Sequence, residues 1–147
     1  MDKVILTVEG SQIDILGDTT SIEFIAEGQY CQKNGISYIL YNETKSSGME
    51  GTKTLLKIAD NTVHLIRKGN ISQQQFFSDG VKSDSQYQTP YGSMKIAVLT
   101  KKITIEKGTI SSSVYINYDM LINGAWQSNN ELHIEVTAAD RKSEYLN

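Results

Sequence analysis

The stretch TKTLLKIADNTVHLIRK, residues 52–68, decides the fold. Polar and apolar side chains alternate on either side of Asp60-Asn61, and a short polar pair between two such runs is a hairpin signal. With Asp60-Asn61 as a two-residue turn, Ile58 faces Val63, Leu56 faces Leu65 and Thr54 faces Arg67. The opposite side then carries Lys57 with His64 and Lys53 with Lys68. One face is apolar until its far end and the other is charged, as a half-buried hairpin requires.

The same pattern repeats along the chain, and no segment keeps a helical period. Runs of period two cover 3–9 (continuing past Gly10 toward 14), 20–31, 36–45, 52–59, 62–68, 71–78, 84–89, 93–105, 109–122 and 130–137. Between them lie turn residues: KNG at 33–35, DN at 60–61, GN at 69–70, TPYG at 89–92, EKG at 106–108 and NGAWQSN at 123–129. Links this short make successive strands pair antiparallel as a meander. A meander of about ten strands leaves two bare edges unless it curls shut. The expected fold is all-β, a single antiparallel up-and-down meander closed into a barrel of about 8–10 strands. Residues 1–147 are read as one domain.

Further registers follow from the turns. Gly69-Asn70 as a two-residue turn places Phe76 beside Val63, Gln74 beside Leu65 and Ser72 beside Arg67. Pairing 36–45 with 52–59 so that Glu43 meets Thr54 sets Tyr41 against Leu56 and Ile39 against Ile58. A three-residue loop Glu106-Lys107-Gly108 sets Met94 against Met120, Ile96 against Tyr118, Val98 against Ile116 and Thr100 against Val114, whereas a two-residue loop mixes the faces. Pro90 belongs in a corner, where no ladder donor is needed. Two registers are open there: a two-residue turn points Tyr87 inward beside Met94, and a type I turn with Gly92 as a bulge points Gln86 and Gln88 inward.

Composition narrows the function. The chain has 147 residues, 39% of them hydrophobic, with net charge −3 and pI near 5.4. Lys and Arg are scattered rather than striped, which argues against a nucleic-acid or anionic-membrane partner. Cys31 is the single cysteine, so no intrachain disulfide and no cysteine-built zinc site is expected. No cofactor signature is present, and no metal site is expected: the loop SSGMEGTK lacks the spacing of a phosphate loop, and His64 and His133 fall on polar faces. The opening MDKVILTVEGSQ has too short an apolar run for a signal segment, which points to the cytoplasm.

Arg67 is the residue most in need of an explanation. The hairpin places it on the apolar face, where Glu43, Thr54, Arg67 and Ser72 form a polar band across four strands. An interior arginine must be paired with a carboxylate, hydrogen-bonded to a ligand, or snorkelled to water. Those are three readings: a structural ion pair closing one barrel end, an anchor for a ligand carboxylate or phosphate, or a rim residue.

The segments YNETKSSGMEGTKTLLKI, LIRKGNISQQQFF, YQTPYGSMKIAV and INYDMLING resemble, in order and spacing, a small bacterial family of calycin-like (lipocalin-like) β-barrel proteins, the YwiB type. The resemblance spans nearly the whole chain and rests on Glu43, Gly51, Arg67-Lys68-Gly69, Phe76 and Tyr87 through Gly92. It implies a calycin-like barrel and singles out Glu43, Arg67, Tyr87, Thr89 and Tyr91 as site residues. It implies no established activity.

The functional expectation is a small-ligand-binding barrel, with an amphipathic or anionic ligand held in the barrel's interior cavity by Arg67, Glu43, Thr54, Ser72, Tyr87, Thr89, Tyr91 and Tyr118. Leu56, Leu65, Ile96, Ile116 and Tyr118 would line its apolar part. The alternatives are an enzyme, decarboxylase-like by fold analogy, with Glu43 as acid and an inward Tyr87, or a solid barrel acting through its surface or as a dimer.

Overall fold

A computed structural model describes residues 2–109 and 111–139. Ten strands follow one another: β1 (Asp2–Asp14), β2 (Thr19–Lys33), β3 (Ile36–Asn42), β4 (Thr52–Ile58), β5 (Thr62–Gly69), β6 (Gln73–Ser78), β7 (Lys82–Thr89), β8 (Gly92–Lys107), β9 (Ser112–Ile122) and β10 (Ala125–Ala138). A 3₁₀ turn, Lys45–Ser47, lies between β3 and β4. All the strands belong to one antiparallel sheet in the order β6-β5-β4-β3-β2-β1-β10-β9-β8-β7. The first and last strands pair along most of their length, from Val4 with Ala138 to Asp14 with Ser128. The two edges are therefore β6 and β7, neighbours in the chain.

These edges almost meet, so the sheet is a nearly closed barrel with one seam. Ser72 and Gln88 bridge the seam at one end, the Ser72 N–H donating to Gln88 O at 3.0 Å and the Gln88 N–H to Ser72 O at 2.9 Å. At the other end the β6–β7 turn clasps β8: Gly80 N–H donates to Thr100 O at 2.9 Å and Thr100 N–H to Val81 O at 3.2 Å. Local irregularities shape the sheet, among them a register shift between Trp126 and Ser128 in the β9–β10 ladder. The β8–β9 ladder shifts register between Thr100 and Lys102, a bulge that bends the strand. Gly28 gives β2 a close approach, since a Cβ there would lie 2.9 Å from Leu6 Cδ1 and 3.0 Å from Leu40 O.

The interior is graded. One half is apolar, with Val4, Leu6, Ile39, Ile58, Val114 and Val136 fully buried, each worth roughly 1.5–3 kcal/mol in transfer terms. Buried polar side chains, Glu43, Thr54, Gln73 and Gln75, gather instead on β4, β6 and the end of β3, around Arg67.

The Asp60-Asn61 hairpin has the expected register, Ile58–Val63, Leu56–Leu65 and Thr54–Arg67. Other registers differ. The β5–β6 pairing is one residue off: Val63 faces Phe77, Leu65 faces Gln75 and Arg67 faces Gln73. The turn is longer than two residues because Asn70 N–H donates to Gly51 O at 3.3 Å and Ile71 N–H to Thr52 Oγ1 at 3.1 Å, hooking it onto the β4 corner. Ser72 and Phe76 therefore leave the inner face, and Gln73, Gln75 and Phe77 take it. In β3–β4, Tyr41 meets Thr54 and Ile39 meets Leu56, a shift of two that keeps the faces. In β8–β9, Ile96 meets Ile122, Val98 meets Met120 and Thr100 meets Tyr118, a shift of four with the faces again kept. Past the bulge Ile103 and Ile105 turn inward, opposite Ile116 and Val114.

The corner at Pro90 resolves to the two-residue turn. Thr89 pairs with Gly92 and Tyr87 with Met94, and Tyr87 packs half-buried against the core.

Candidate functional site

The buried polar cluster converges on Arg67. β5 sets it directly opposite Thr54 of β4 and Gln73 of β6. β3 runs on into Glu43, whose N–H donates to Thr52 O at 2.8 Å and whose side chain is wholly buried. Thr54 Oγ1 donates to Glu43 Oε2. Arg67 Nε stands 4.0 Å from that same oxygen, near enough for charge attraction and too far for a hydrogen bond. Arg67 Nη1 turns the other way and donates to Gln73 Oε1 at 2.7 Å. Neither Arg67 Nε nor Glu43 Oε1 has a hydrogen-bond partner among the described residues.

The corner that holds Arg67 in place is built from glycine. Gly69 has φ of 134°, and a Cβ on it would lie 2.3 Å from Gly51 O, so the two loops touch backbone to backbone. A Cβ on Gly51 would in turn lie 2.3 Å from Asn70 Nδ2, which donates to Glu50 O at 3.2 Å.

Two phenols border the same cluster. Tyr41, inward beside Thr54, has its pKa pushed far up, first by burial and then by the Glu43 charge, with Arg67 pulling the other way. Burial also raises Tyr118, and Arg67 again opposes the shift. The Tyr118 ring lies 5.2 Å from that of Phe77.

Between its two clasps the seam is held by side chains instead of ladder bonds. Gln73 Nε2 donates to Ser85 Oγ at 3.2 Å, Ser85 Oγ donates to Gln75 Oε1 at 3.0 Å, and Gln75 Nε2 reaches Ser83 O at 3.5 Å. Over this seam lies an open groove of about 500 Å³ whose lining includes Arg67, Lys68, Ser72, Gln73, Asp84 and Gln88. The Arg67 side chain is 18% exposed, so the guanidinium joins the buried Glu43 to this opening.

Of the residues expected at the site, the structure brings Arg67, Glu43 and Thr54 together. Ser72 is on the groove wall outside the barrel rather than in the inner band. Tyr87 and Tyr118 face inward. Thr89 and Tyr91 do not join the cluster: Thr89 Oγ1 closes the Pro90 turn, donating to Gly92 O at 3.0 Å and accepting from Tyr91 N–H at 3.1 Å. Tyr91 itself is 99% exposed. Leu56, Leu65, Ile96 and Ile116 are buried in the apolar cluster.

Gln73, Gln75 and Ser85 were missed by sequence reasoning. The triple Gln73-Gln74-Gln75 was a signal for them, because two inward glutamines have to find partners. His133 pairs with Glu135 at 2.8 Å, and His64 packs edge-on to Phe76. Among the described residues no cluster of three or more His, Cys, Asp or Glu side chains could hold a metal ion. No described helix is long and apolar enough to cross a membrane.

The fold and the site define a ten-stranded, nearly closed antiparallel barrel with an arginine–glutamate pair at its polar end. The chain belongs to the family described as "Domain of unknown function (DUF1934)", whose model matches residues 6–134. It is 28% identical over 110 residues to the "Uncharacterized beta-barrel protein YwiB" of Bacillus subtilis (strain 168), covering 75% of this chain and 76% of that protein. The crystal structure of the Bacillus subtilis ywiB protein superposes with a TM-score of 0.82 at 23% identity, over 94% of this chain and 92% of that one. The expected all-β barrel and the YwiB-type resemblance are thereby established.

Proposed function

We propose that this barrel binds a small anionic or amphipathic ligand at the seam groove, with Arg67 as the anchor. One observation carries the reading: a guanidinium that reaches the groove at the seam while its buried Nε, 4.0 Å from Glu43 Oε2, has no hydrogen-bond partner among the described residues. A purely structural arginine beside a buried carboxylate would close a short, two-pronged contact with it, the geometry at which that pair is strongest. Here the guanidinium is instead splinted by the neutral amide of Gln73, which spends one donor and orients the rest. A planar, charged, pre-oriented donor set at the mouth of a groove is what recognition of an acid group needs.

The test is native mass spectrometry on protein purified gently from its expression host, comparing wild type with Arg67→Lys. The lysine keeps the charge beside Glu43 and removes the fork, so the variant stays folded. An adduct present on wild type and lost from the variant supports the reading. Identical clean masses for both would overturn it.

A second reading, an enzyme acting on the bound acid, has the inward Tyr87 on its side. It would appear as turnover abolished in Tyr87→Phe with binding retained.

A further inference from the structure

The groove at the seam carries its own charge balance, and that balance selects among anions. Arg67 and Lys68 contribute two cations to its lining, and Asp84 contributes a carboxylate on the β7 side. Behind Arg67, Glu43 supplies a second negative charge, wholly buried and 4.0 Å from Nε. The two cations are therefore matched by two carboxylates, and what is left for a ligand is the exposed part of the guanidinium, oriented by Gln73 Oε1, which accepts from Nη1 at 2.7 Å.

We infer that the seam groove is a carboxylate site rather than a phosphate site, with Glu43 and Asp84 as the residues that set the choice. This rests on the proposed function and names the ligand class of that same site. A carboxylate is a monoanion whose two oxygens match the planar fork of a guanidinium. A phosphate monoester at neutral or higher pH carries nearly two charges, and with Arg67 and Lys68 already matched by Glu43 and Asp84 the second charge finds no uncompensated cation. Sites built for phosphate combine several cations or backbone N–H groups at a helix N-terminus. The described groove has strand backbone and one carboxylate for its two cations. Glu43 is a positioning and selectivity residue here, since Thr54 Oγ1 holds its Oε2 in place behind the arginine.

The experiment titrates two probes of the same size, benzoate and phenyl phosphate, against wild type, Glu43→Gln and Asp84→Asn at a pH where the phosphate is a dianion. The readout is the Arg67 Nε–Hε resonance, assigned by its loss in Arg67→Lys. Wild type should bind benzoate about tenfold more tightly than phenyl phosphate, the order of one extra charge at groove distances in a partly screened site. Glu43→Gln keeps the side chain's shape and should bring the ratio to about one, chiefly by tightening phenyl phosphate; Asp84→Asn should move it part of the way. A wild-type preference for phenyl phosphate, or a ratio unmoved by Glu43→Gln, overturns the inference while leaving an anion site in place. A resonance that neither probe perturbs in any of the proteins overturns the proposed function and this inference together.

Discussion

Arg67 and Glu43 stand 4.0 Å apart at their nearest, and the arginine makes its short hydrogen bond with Gln73 instead, at 2.7 Å. The buried charge is thus balanced at a distance. The exposed part of the guanidinium reaches the seam, where the barrel wall is open, while Nε stays buried toward Glu43.

That arrangement makes the two charges interdependent. Arg67→Ala leaves Glu43 buried without its counter-charge and should cost about 3 kcal/mol, the lower end for such pairs because the arginine is partly exposed. Glu43→Ala should cost less, since the freed guanidinium can turn to water through the groove. Chemical denaturation of the two single variants and the double variant checks this. The double should lie well above the sum of the singles in stability.

Tyr41 and Tyr118 give the barrel an alkaline limit. Both are held neutral by burial above the ordinary tyrosine value of 10.0. In the unfolded chain the phenols ionise near that value, so from there upward the unfolded state sheds protons the folded state keeps. Stability should be insensitive to these groups below pH 10 and fall as pH rises beyond it. Tyr41→Phe should shrink the slope, as measured by urea midpoints across that range alongside phenolate absorbance.

The seam should be the first part of the sheet to open. Its middle is held by Gln73, Gln75 and Ser85 side chains, whereas β1 and β10 share a long continuous ladder. Amide hydrogen exchange should be fastest in β6 and β7. Ser85→Ala should accelerate it there and not in β1, and should cost about 1–2 kcal/mol for the amide left unpaired.

The glycine corner should tolerate no side chain. Gly69→Ala combines a positive φ with a contact 2.3 Å from the Gly51 carbonyl, so either strand end must move. A loss of about 3 kcal/mol or more is expected. Gly35→Ala has a positive φ but no atom within 4 Å and should lose about 1 kcal/mol, mostly backbone strain. Thermal unfolding of the two variants side by side separates crowding from strain.

Alternation in the sequence located nearly every strand, because period two is the imprint of a wall with one wet and one dry face. It fixes a register only modulo two. That is why the β3–β4 and β8–β9 pairings are displaced by two and by four while Ile39, Tyr41, Ile96 and Val98 still face inward as read. The β5–β6 pairing slipped by one, and so changed faces, because ISQQQ offers no apolar alternation to hold it. What lengthens that turn is Gly51 and Thr52, some twenty residues back in the chain, and no local pattern contains them. The site was legible to the same extent. Thr54 beside Arg67 came from a clean hairpin, and Glu43 from its place at the end of β3. Gln73 took the position assigned to Ser72, and the seam itself came from closure of the whole sheet.

Stability and binding can be read together in one protein, Glu43→Leu with Arg67→Met, which removes both charges and keeps the volume. The barrel should be as stable as wild type, or more so, with no adduct by native mass spectrometry where wild type carries one. A double variant that keeps the adduct would contradict the anchor role of Arg67, because the arginine would then serve only to balance the glutamate.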